Sequence, residues 1–295
     1  MTVELFIQHF FNAMTIGSLY ALIAIGYTMV YGILRFINFA HGDVFMMGAY
    51  FIFFIAFQVS WPIAAVLSIA GASLLGIIVD RTAYRPLREA PRISALISAI
   101  GVSFLLENLA LVIFTGIPRP AVQPKWMVDP IQVGNVHILP LTFLVPVVTA
   151  ILVLGLLWIV YRTRPGLAMR AISKDIETTR LLGVSIDRII ALTFGLGSAL
   201  AATAGIMWAM RYPQIHPFMG VFPGFKAFIA AVVGGIGSIR GAVLGGLILG
   251  TMEVMAVAFY PNLSGYRDAF AFVLLIVILI FLPTGLVGEK IKDKI

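Results

Sequence analysis

Long apolar runs separated by short polar stretches dominate the chain. A helix needs about 20 apolar residues to cross a hydrocarbon core of ~30 Å, and in lipid it must satisfy its own backbone hydrogen bonds. The runs therefore predict an all-α, polytopic bundle. The predicted spans are Phe10–Ile33, Phe39–Phe57, Trp61–Val79, Ser94–Gly116, Leu139–Tyr161, Ile189–Met210, Gly224–Gly237, Ala242–Tyr260 and Ala269–Leu286. The seventh is short and glycine-rich, so either a full crossing or a broken or re-entrant segment fits, giving eight or nine transmembrane helices.

Composition supports this interpretation and excludes several others. Hydrophobic residues make up 61% of the 295 residues and charged residues only 11%, whereas soluble domains carry roughly 25% charged residues. Cysteine is absent, which excludes disulfides and thiolate sites. The sequence contains no P-loop, zinc-protease or hydrolase motif, and its bases form no nucleic-acid patch. We predict one transmembrane domain spanning residues 1–295, with no cofactor, no enzymatic activity and no nucleic-acid partner.

The basic residues indicate an orientation. If the spans alternate, all but five of the 20 lysines and arginines fall on one side. That side has Arg35, Arg81, Arg85, Arg88, Arg92, Arg162, Arg164, Arg170, Lys174, Arg180, Arg188, Arg240, Lys290, Lys292 and Lys294, and the opposite side has Arg119, Lys125, Arg211, Lys226 and Arg267. The positive-inside rule places the basic side in the cytoplasm. With nine crossings, the N-terminus is predicted outside and the C-terminus inside.

The basic loop 162–188 has an ordered pattern. Pro165 and Gly166 begin it, and apolar residues then recur at helical spacing. This predicts an amphipathic helix over Leu167–Leu182 that stops at Gly183, or two short helices with a kink, since Asp175 is an internal cap candidate. Such a helix would either dock on a partner protein as a lever or lie on lipid headgroups, and the pattern alone favours neither.

Two kinds of motif in the chain resemble a known family. The segment from Glu177 to Gly183 resembles the E-A-A-x-x-x-G coupling loop of bacterial ABC importer permeases, although Thr178 and Thr179 replace the alanines. Segments along the whole chain, in order, are similar to LivH-type branched-chain amino-acid permeases. They are Ile37–Asp43, Tyr84–Arg88, Gly166–Ala171, Gly234–Gly246 and Pro283–Gly288.

The resemblance implies a permease subunit of an ABC importer for branched-chain or other hydrophobic amino acids, in the bacterial inner membrane. Its partners would be membrane lipid, a second, LivM-like permease subunit, two cytoplasmic ATPases and a periplasmic or lipid-anchored binding protein. ATP hydrolysis would take place on those separate subunits. The residues expected to couple to the ATPases are Arg170, Glu177, Arg180 and Gly183.

Polar residues inside the spans are candidates for the translocation path, because ionisable groups there are costly and usually face the bundle or a wet cavity. Each has an alternative role as a hydrogen bond between helices. Asn38, His41 and Asp43 indicate unwound backbone, while the glycines indicate either close packing or a break lining a site. The candidates are Asn38, His41, Asp43, Glu107, Asn108, Gly234, Gly235 and Glu253.

A second class of function stays open from the residues alone. A secondary transporter of small polar solutes, driven by an ion gradient, needs intramembrane carboxylates for coupling. Asp43, Glu107 and Glu253 would supply them. The ordered basic loop favours the ATP-driven alternative.

Overall fold

The computed structural model describes residues 3–133 and 136–288, and it is helical almost throughout. The longer helices that carry the bundle are α1 (Val3–Leu34), α2 (His41–Ile55), α3 (Trp61–Val79), α4 (Arg92–Phe114), α6 (Leu141–Arg162), α9 (Ile186–Arg211), α10 (Val221–Gly234), α11 (Ile239–Phe259) and α12 (Arg267–Phe281). The short elements between them are β1 (Arg119–Pro120), α5 (Lys125–Val128), β2 (Ile131–Val133), β3 (Val136–Ile138), α7 (Arg164–Lys174), α8 (Ile176–Leu181) and β4 (Gln214–Ile215).

The predicted all-α membrane fold is confirmed, and each predicted span overlaps one of the nine bundle helices. Within the described residues, seven helices are long and apolar enough to cross a membrane. The other two, α2 and α10, are apolar but have only 15 and 14 residues. The short seventh span was expected, but nothing in the apolar pattern indicated that the second is equally short.

The N-terminal and C-terminal parts of the chain contain the same order of helices, but the corresponding helices cross the bundle in opposite directions. A long helix, a short helix and two further helices make up both α1–α4 and α9–α12. The contacts between helices repeat as well: α1 packs along α11 and α10, just as α9 packs along α3 and α2. This is the arrangement of an inverted-topology repeat, and α6 with its following short helices lies between the two units.

Glycines let the helices of the repeat approach closely. A Cβ at Gly48 of α2 would lie 2.6 Å from the Cα of Ala202 in α9, and one at Gly246 of α11 would lie 2.6 Å from the Cα of Ala21 in α1. Small residues at such contacts bring backbones together where apolar burial supplies little drive, as in lipid. The central helices α1 and α9 are therefore buried, whereas α4, α6 and α12 expose apolar side chains on the flank of the bundle.

The basic segments meet on one end of the bundle, called the basic side below. Arg85 and Arg88 bind Asp187 at the start of α9 at 2.6 Å each, and Arg88 also binds Asp80 at 2.7 Å. Arg35 donates to the carbonyl of Ser173 at 3.2 Å. Of the basic residues expected there, Lys290, Lys292 and Lys294 lie outside the described residues.

The opposite end is closed by the segment between α4 and α6. Strand β1 pairs with β4 in the connection between α9 and α10, and β2 and β3 form an antiparallel hairpin. Trp61 and Trp126 touch edge to face at this end, with ring centroids 6.4 Å apart. Lys226, counted among the bases of this end, lies inside α10 and is buried.

Candidate functional site

The short helices α2 and α10 begin next to each other in the interior of the bundle. A Cβ at Gly220, the residue before α10, would collide with the carbonyl oxygen of Gly42 in the first turn of α2. At this level His41 packs edge to face on Tyr27, with ring centroids 4.9 Å apart. Tyr27 lies about 10 Å along α1 from its end at Leu34, at the ~1.5 Å rise of a helix. Both short helices therefore start well inside the apolar layer and run from there towards opposite ends of the bundle.

A cavity of about 280 Å³ lies where the two short helices meet. Its walls come from α1, α2, α4 and the first turn of α10, and are mostly apolar. The lining residues are Tyr27, Phe39, Gly42, Asp43, Ile100, Ser103, Phe104, Glu107, Gly220, Val221, Gly224 and Phe225. An apolar pocket with a few polar groups is the usual form of a small-ligand site, and this volume is near the lower end of the range, ~300 Å³.

Two carboxylates face this cavity. Asp43 is buried in the first turn of α2 and accepts a hydrogen bond of 2.5 Å from the Ser103 hydroxyl. Glu107, one helical turn further along α4, is only 8% exposed. No hydrogen-bond donor among the described residues reaches its carboxylate. The structure thus brings together Asp43 and Glu107, which are far apart in sequence.

The other path candidates from the first half of the chain lie outside the cavity wall. The Asn38 side chain is buried and accepts a hydrogen bond of 2.6 Å from the Tyr84 hydroxyl, on a π-helical turn that follows α3. His41 packs against Tyr27 and Gly26. Asn108 is exposed and donates to the carbonyl of Phe104 in its own helix.

Glu253 belongs to a second polar cluster, in the half of the bundle opposite to the basic side. Its carboxylate accepts from Lys226 Nζ on α10 at 2.9 Å and from the Tyr20 hydroxyl on α1 at 2.9 Å. Lys226 also pairs with Asp268 at the start of α12, at 2.7 Å. The cluster borders a cavity of about 320 Å³. The sequence pattern places Lys226 only among the bases and does not single out Tyr20, because nothing in sequence relates either residue to Glu253.

Gly234 and Gly235 lie at the end of α10 on the basic side, away from both cavities. A Cβ at Gly234 would collide with the carbonyl of Gly241, so α10 and α11 touch there through their backbones. Gly235 has φ of +107°, a conformation that favours glycine. The segment after α12 closes this end, where Leu286 N–H donates to the carbonyl of Val233 at 2.9 Å.

The basic loop contains two short helices with a kink between them. Thr163 caps α7, with its hydroxyl accepting from the Gly166 N–H at 3.3 Å. Asp175 then breaks the helix and caps α8 through the Thr178 N–H at 3.1 Å. After α8 the chain turns at Gly183, whose φ is +80°. Of the two alternatives for this loop, the structure therefore has the kinked pair, which starts slightly earlier than the predicted Leu167.

The helix pair is fixed to the bundle by one face and exposes the other. Met169 and Ile172 of α7 are buried, and α7 contacts α1, α6 and α9. Glu177 and Arg180 are exposed, as are Leu181 at 88% and Leu182 at 77%. Arg170 is exposed too, with its guanidinium 5.4 Å from the Tyr161 ring centroid. Arg170, Glu177, Arg180 and Gly183 therefore occupy the projecting part of the basic side.

Metal binding has no support within the described ranges, 3–133 and 136–288, where no group of three His, Cys, Asp or Glu side chains is placed to hold an ion. The polar groups near the cavities are instead paired with each other or face the cavity space.

Comparison with known proteins relates nearly the whole chain to permeases. A family model described as the permease component of branched-chain amino acid transport systems matches residues 9–279. The high-affinity branched-chain amino acid transport system permease proteins LivH of Salmonella typhimurium and Escherichia coli are each 42% identical, and BraD of Pseudomonas aeruginosa is 44% identical. Each alignment covers 98% of this chain and 98% of the relative.

A solved structure has a similar fold. PsaBC from Streptococcus pneumoniae, in complex with a Fab, matches with a TM-score of 0.50 and 15% sequence identity. The match covers 92% of this chain and 91% of that one. At this identity the likeness concerns the fold alone.

Proposed function

Because this chain belongs to the permease family of branched-chain amino acid transport systems, we propose that it forms the membrane path of an ATP-driven importer for branched-chain or other hydrophobic amino acids. It is a multi-pass transport subunit, and ATP is hydrolysed on separate subunits. The observation that carries the proposal is the relationship itself, which extends over 98% of both chains at 42–44% identity.

The kinked helix pair α7–α8 supports coupling to an ATPase. A lever must be stiff, fixed at one end and exposed at the other. The Thr163 and Asp175 caps and the buried Met169 meet the first two requirements. Leu181 and Leu182 are apolar, exposed and close to the charged Arg180, a combination suited to a groove on a protein partner.

The basic side of the molecule also supports an orientation in the membrane. We place the basic side, with α7 and α8, in the cytoplasm of a bacterium with the N-terminus outside, in accordance with the positive-inside rule. The rest of the proposed assembly is a second, LivM-like permease subunit in the membrane, two ATPases below and a binding protein outside. The apolar flanks of α4 and α12 are available for the second subunit and for lipid.

The experiment is reconstitution in vesicles with the second permease subunit, the ATPases and the binding protein of the proposed assembly. We expect leucine uptake that requires ATP, is blocked by vanadate and proceeds without an ion gradient. Uptake that persists with vanadate and collapses with an ionophore would mean that the chain is a secondary transporter. Uptake of another solute class in place of leucine would leave the ATP-driven mechanism intact and replace the substrate.

A further inference from the structure

Two acidic side chains line the cavity between the two short helices, and none of its described lining residues is basic. Glu107 is more than nine-tenths buried, borders the cavity and has no donor within the described part of the chain. Asp43, which lines the same cavity, has the neutral hydroxyl of Ser103 as its only side-chain partner among the described residues. Buried carboxylates are normally paired, yet within the described ranges no basic side chain is placed to pair with these two acids.

The cavity opens on the flank of the bundle, where contact of these acids with lipid would be unfavourable. Phe104 and Phe225 at its rim are exposed on the flank of the bundle, at 61% and 44%. A charged group at the centre of a bilayer costs roughly 2.5–3.5 kcal/mol on insertion scales. The acids therefore fit a surface that faces an aqueous path or a partner subunit better than one that faces hydrocarbon.

The opposite wall has the complementary polarity. The first turn of α10, from Gly220 to Gly224, borders the cavity and contains no acidic residue. The first turn of α2 differs, since it holds Asp43. The start of a helix carries a partial positive charge, so the start of α10 presents partial positive charge to the cavity that Glu107 also lines. Broken helices in other transporters use such ends to hold anionic substrate groups.

We propose that this cavity binds a zwitterionic amino acid with an aliphatic side chain, an inference that rests on the proposed function. Its α-ammonium group pairs with Glu107 and Asp43, and its carboxylate faces the first turn of α10. Its side chain lies against Ile100, Phe104 and Phe225, which are apolar walls of the same cavity. The cavity thus selects amino acids over fatty acids and amines of the same shape during passage, in addition to the choice made by a binding protein.

The test uses the complete complex of this chain with its partner subunits in nanodiscs, without binding protein. Radiolabelled leucine is the probe, and 4-methylpentanoate, which lacks the ammonium group, and leucinamide, which lacks the carboxylate, are competitors. In the wild type, leucine should bind at least about tenfold more tightly than either analogue, since each loses one charge-assisted contact.

The variants separate charge recognition from cavity shape. Glu107→Gln removes an acidic group that has no partner among the described residues, so this variant should fold normally. It should weaken leucine binding about tenfold or more and leave 4-methylpentanoate unchanged, so that the preference between the two shrinks. Asp43→Asn should act in the same direction. The control is Asn108→Ala, at the neighbouring exposed position outside the cavity, which should leave leucine affinity unchanged.

Three results would overturn the proposal. The first is unchanged leucine affinity and selectivity in both acid variants. The second is an equal loss for leucine and 4-methylpentanoate. The third is leucine binding that depends on Na⁺ and loses that dependence in Glu107→Gln, which would make the acids a cation site. ATP turnover stimulated by loaded binding protein in the wild type is measured in parallel, and its absence would instead refute the proposed ATP-driven function.

Discussion

The buried lysine of α10 gives a quantitative test of the packing in the bundle. Lys226 Nζ lies 2.9 Å from Glu253 and 2.7 Å from Asp268, and the Lys226 and Glu253 side chains are only 11% and 8% exposed. Lys226→Met retains most of the volume of the side chain and removes its charge. Glu253 then keeps only the Tyr20 hydroxyl as a hydrogen-bond donor among the described residues.

The size of the effect follows from what each partner loses. Removing one member of a buried ion pair typically costs about 3–5 kcal/mol, because the other charge stays buried and unpaired. Asp268 is 49% exposed, and an exposed pair contributes about 0–1 kcal/mol. We therefore expect Lys226→Met to lower the free energy of unfolding by about 3–5 kcal/mol, and Asp268→Asn by less than about 1 kcal/mol.

A double variant separates the charge effect from packing. Lys226→Met combined with Glu253→Gln leaves this pair without a buried charge, and the amide oxygen introduced by Glu253→Gln can still accept from Tyr20. The double variant should recover more than half of the loss seen for Lys226→Met, because replacing both partners of a pair costs much less than removing one. The free energy of unfolding is measured by denaturant titration of the purified protein in mixed micelles. The reasoning fails if Lys226→Met is as stable as the wild type, or if the double variant is no better than the single one.

Three further predictions concern other parts of the molecule. Gly205→Ala should destabilise the bundle by about 1–3 kcal/mol in the same titration, because its Cβ would collide with the Phe45 carbonyl, while Gly155→Ala, with open space around it, should not. Gly183 has φ of +80°, so Gly183→Val should strain the local backbone by about 1–3 kcal/mol and reduce co-purification of the ATPases. Gly183→Asn should retain their co-purification, and equal co-purification with both variants would contradict the lever role. Since the chain has no cysteine, single cysteines report topology: in intact spheroplasts an impermeant maleimide should label Lys125→Cys and leave Leu181→Cys unlabelled until lysis, and the reverse pattern would invert the proposed orientation.

The inverted repeat explains why the functional candidates gather where they do. The two short helices are equivalent members of the two units, and they begin against each other at Gly42 and Gly220. Backbone that is not helical is tolerated inside a membrane only beside protein or a cavity. The repeat therefore places two helix breaks, one cavity and the Asp43–Glu107 pair in the same region of the bundle.

Much of the fold was determined by the sequence alone. The length and composition of the apolar runs predicted most ends of the bundle helices to within a few residues. This was possible because the length of a helix that crosses lipid is set by the thickness of the bilayer. The distribution of arginine and lysine predicted that the segments around Arg35, Arg88 and Arg170 lie on one side of the bundle. Contacts such as that of Arg88 with Asp187 agree with this prediction. The cap at Asp175 and the stop at Gly183 were also predictable, because both depend on local backbone geometry.

Only the tertiary structure decided what the polar residues inside the bundle do. Glu107 and Glu253 look alike in sequence, yet one faces a cavity without a partner among the described residues and the other is paired with Lys226 and Tyr20. Their difference depends on which helices lie alongside, and α1 reaches α10 and α11 from the far end of the chain. The apolar pattern does not show that α2 is short, because the residues just before it are mostly apolar and are buried or partly buried although they are not helical. One of them, Phe39, packs against Phe225 and Phe228 of α10. Hydrophobicity therefore predicts that a residue is buried in the bundle, and the packing of the helices decides its role.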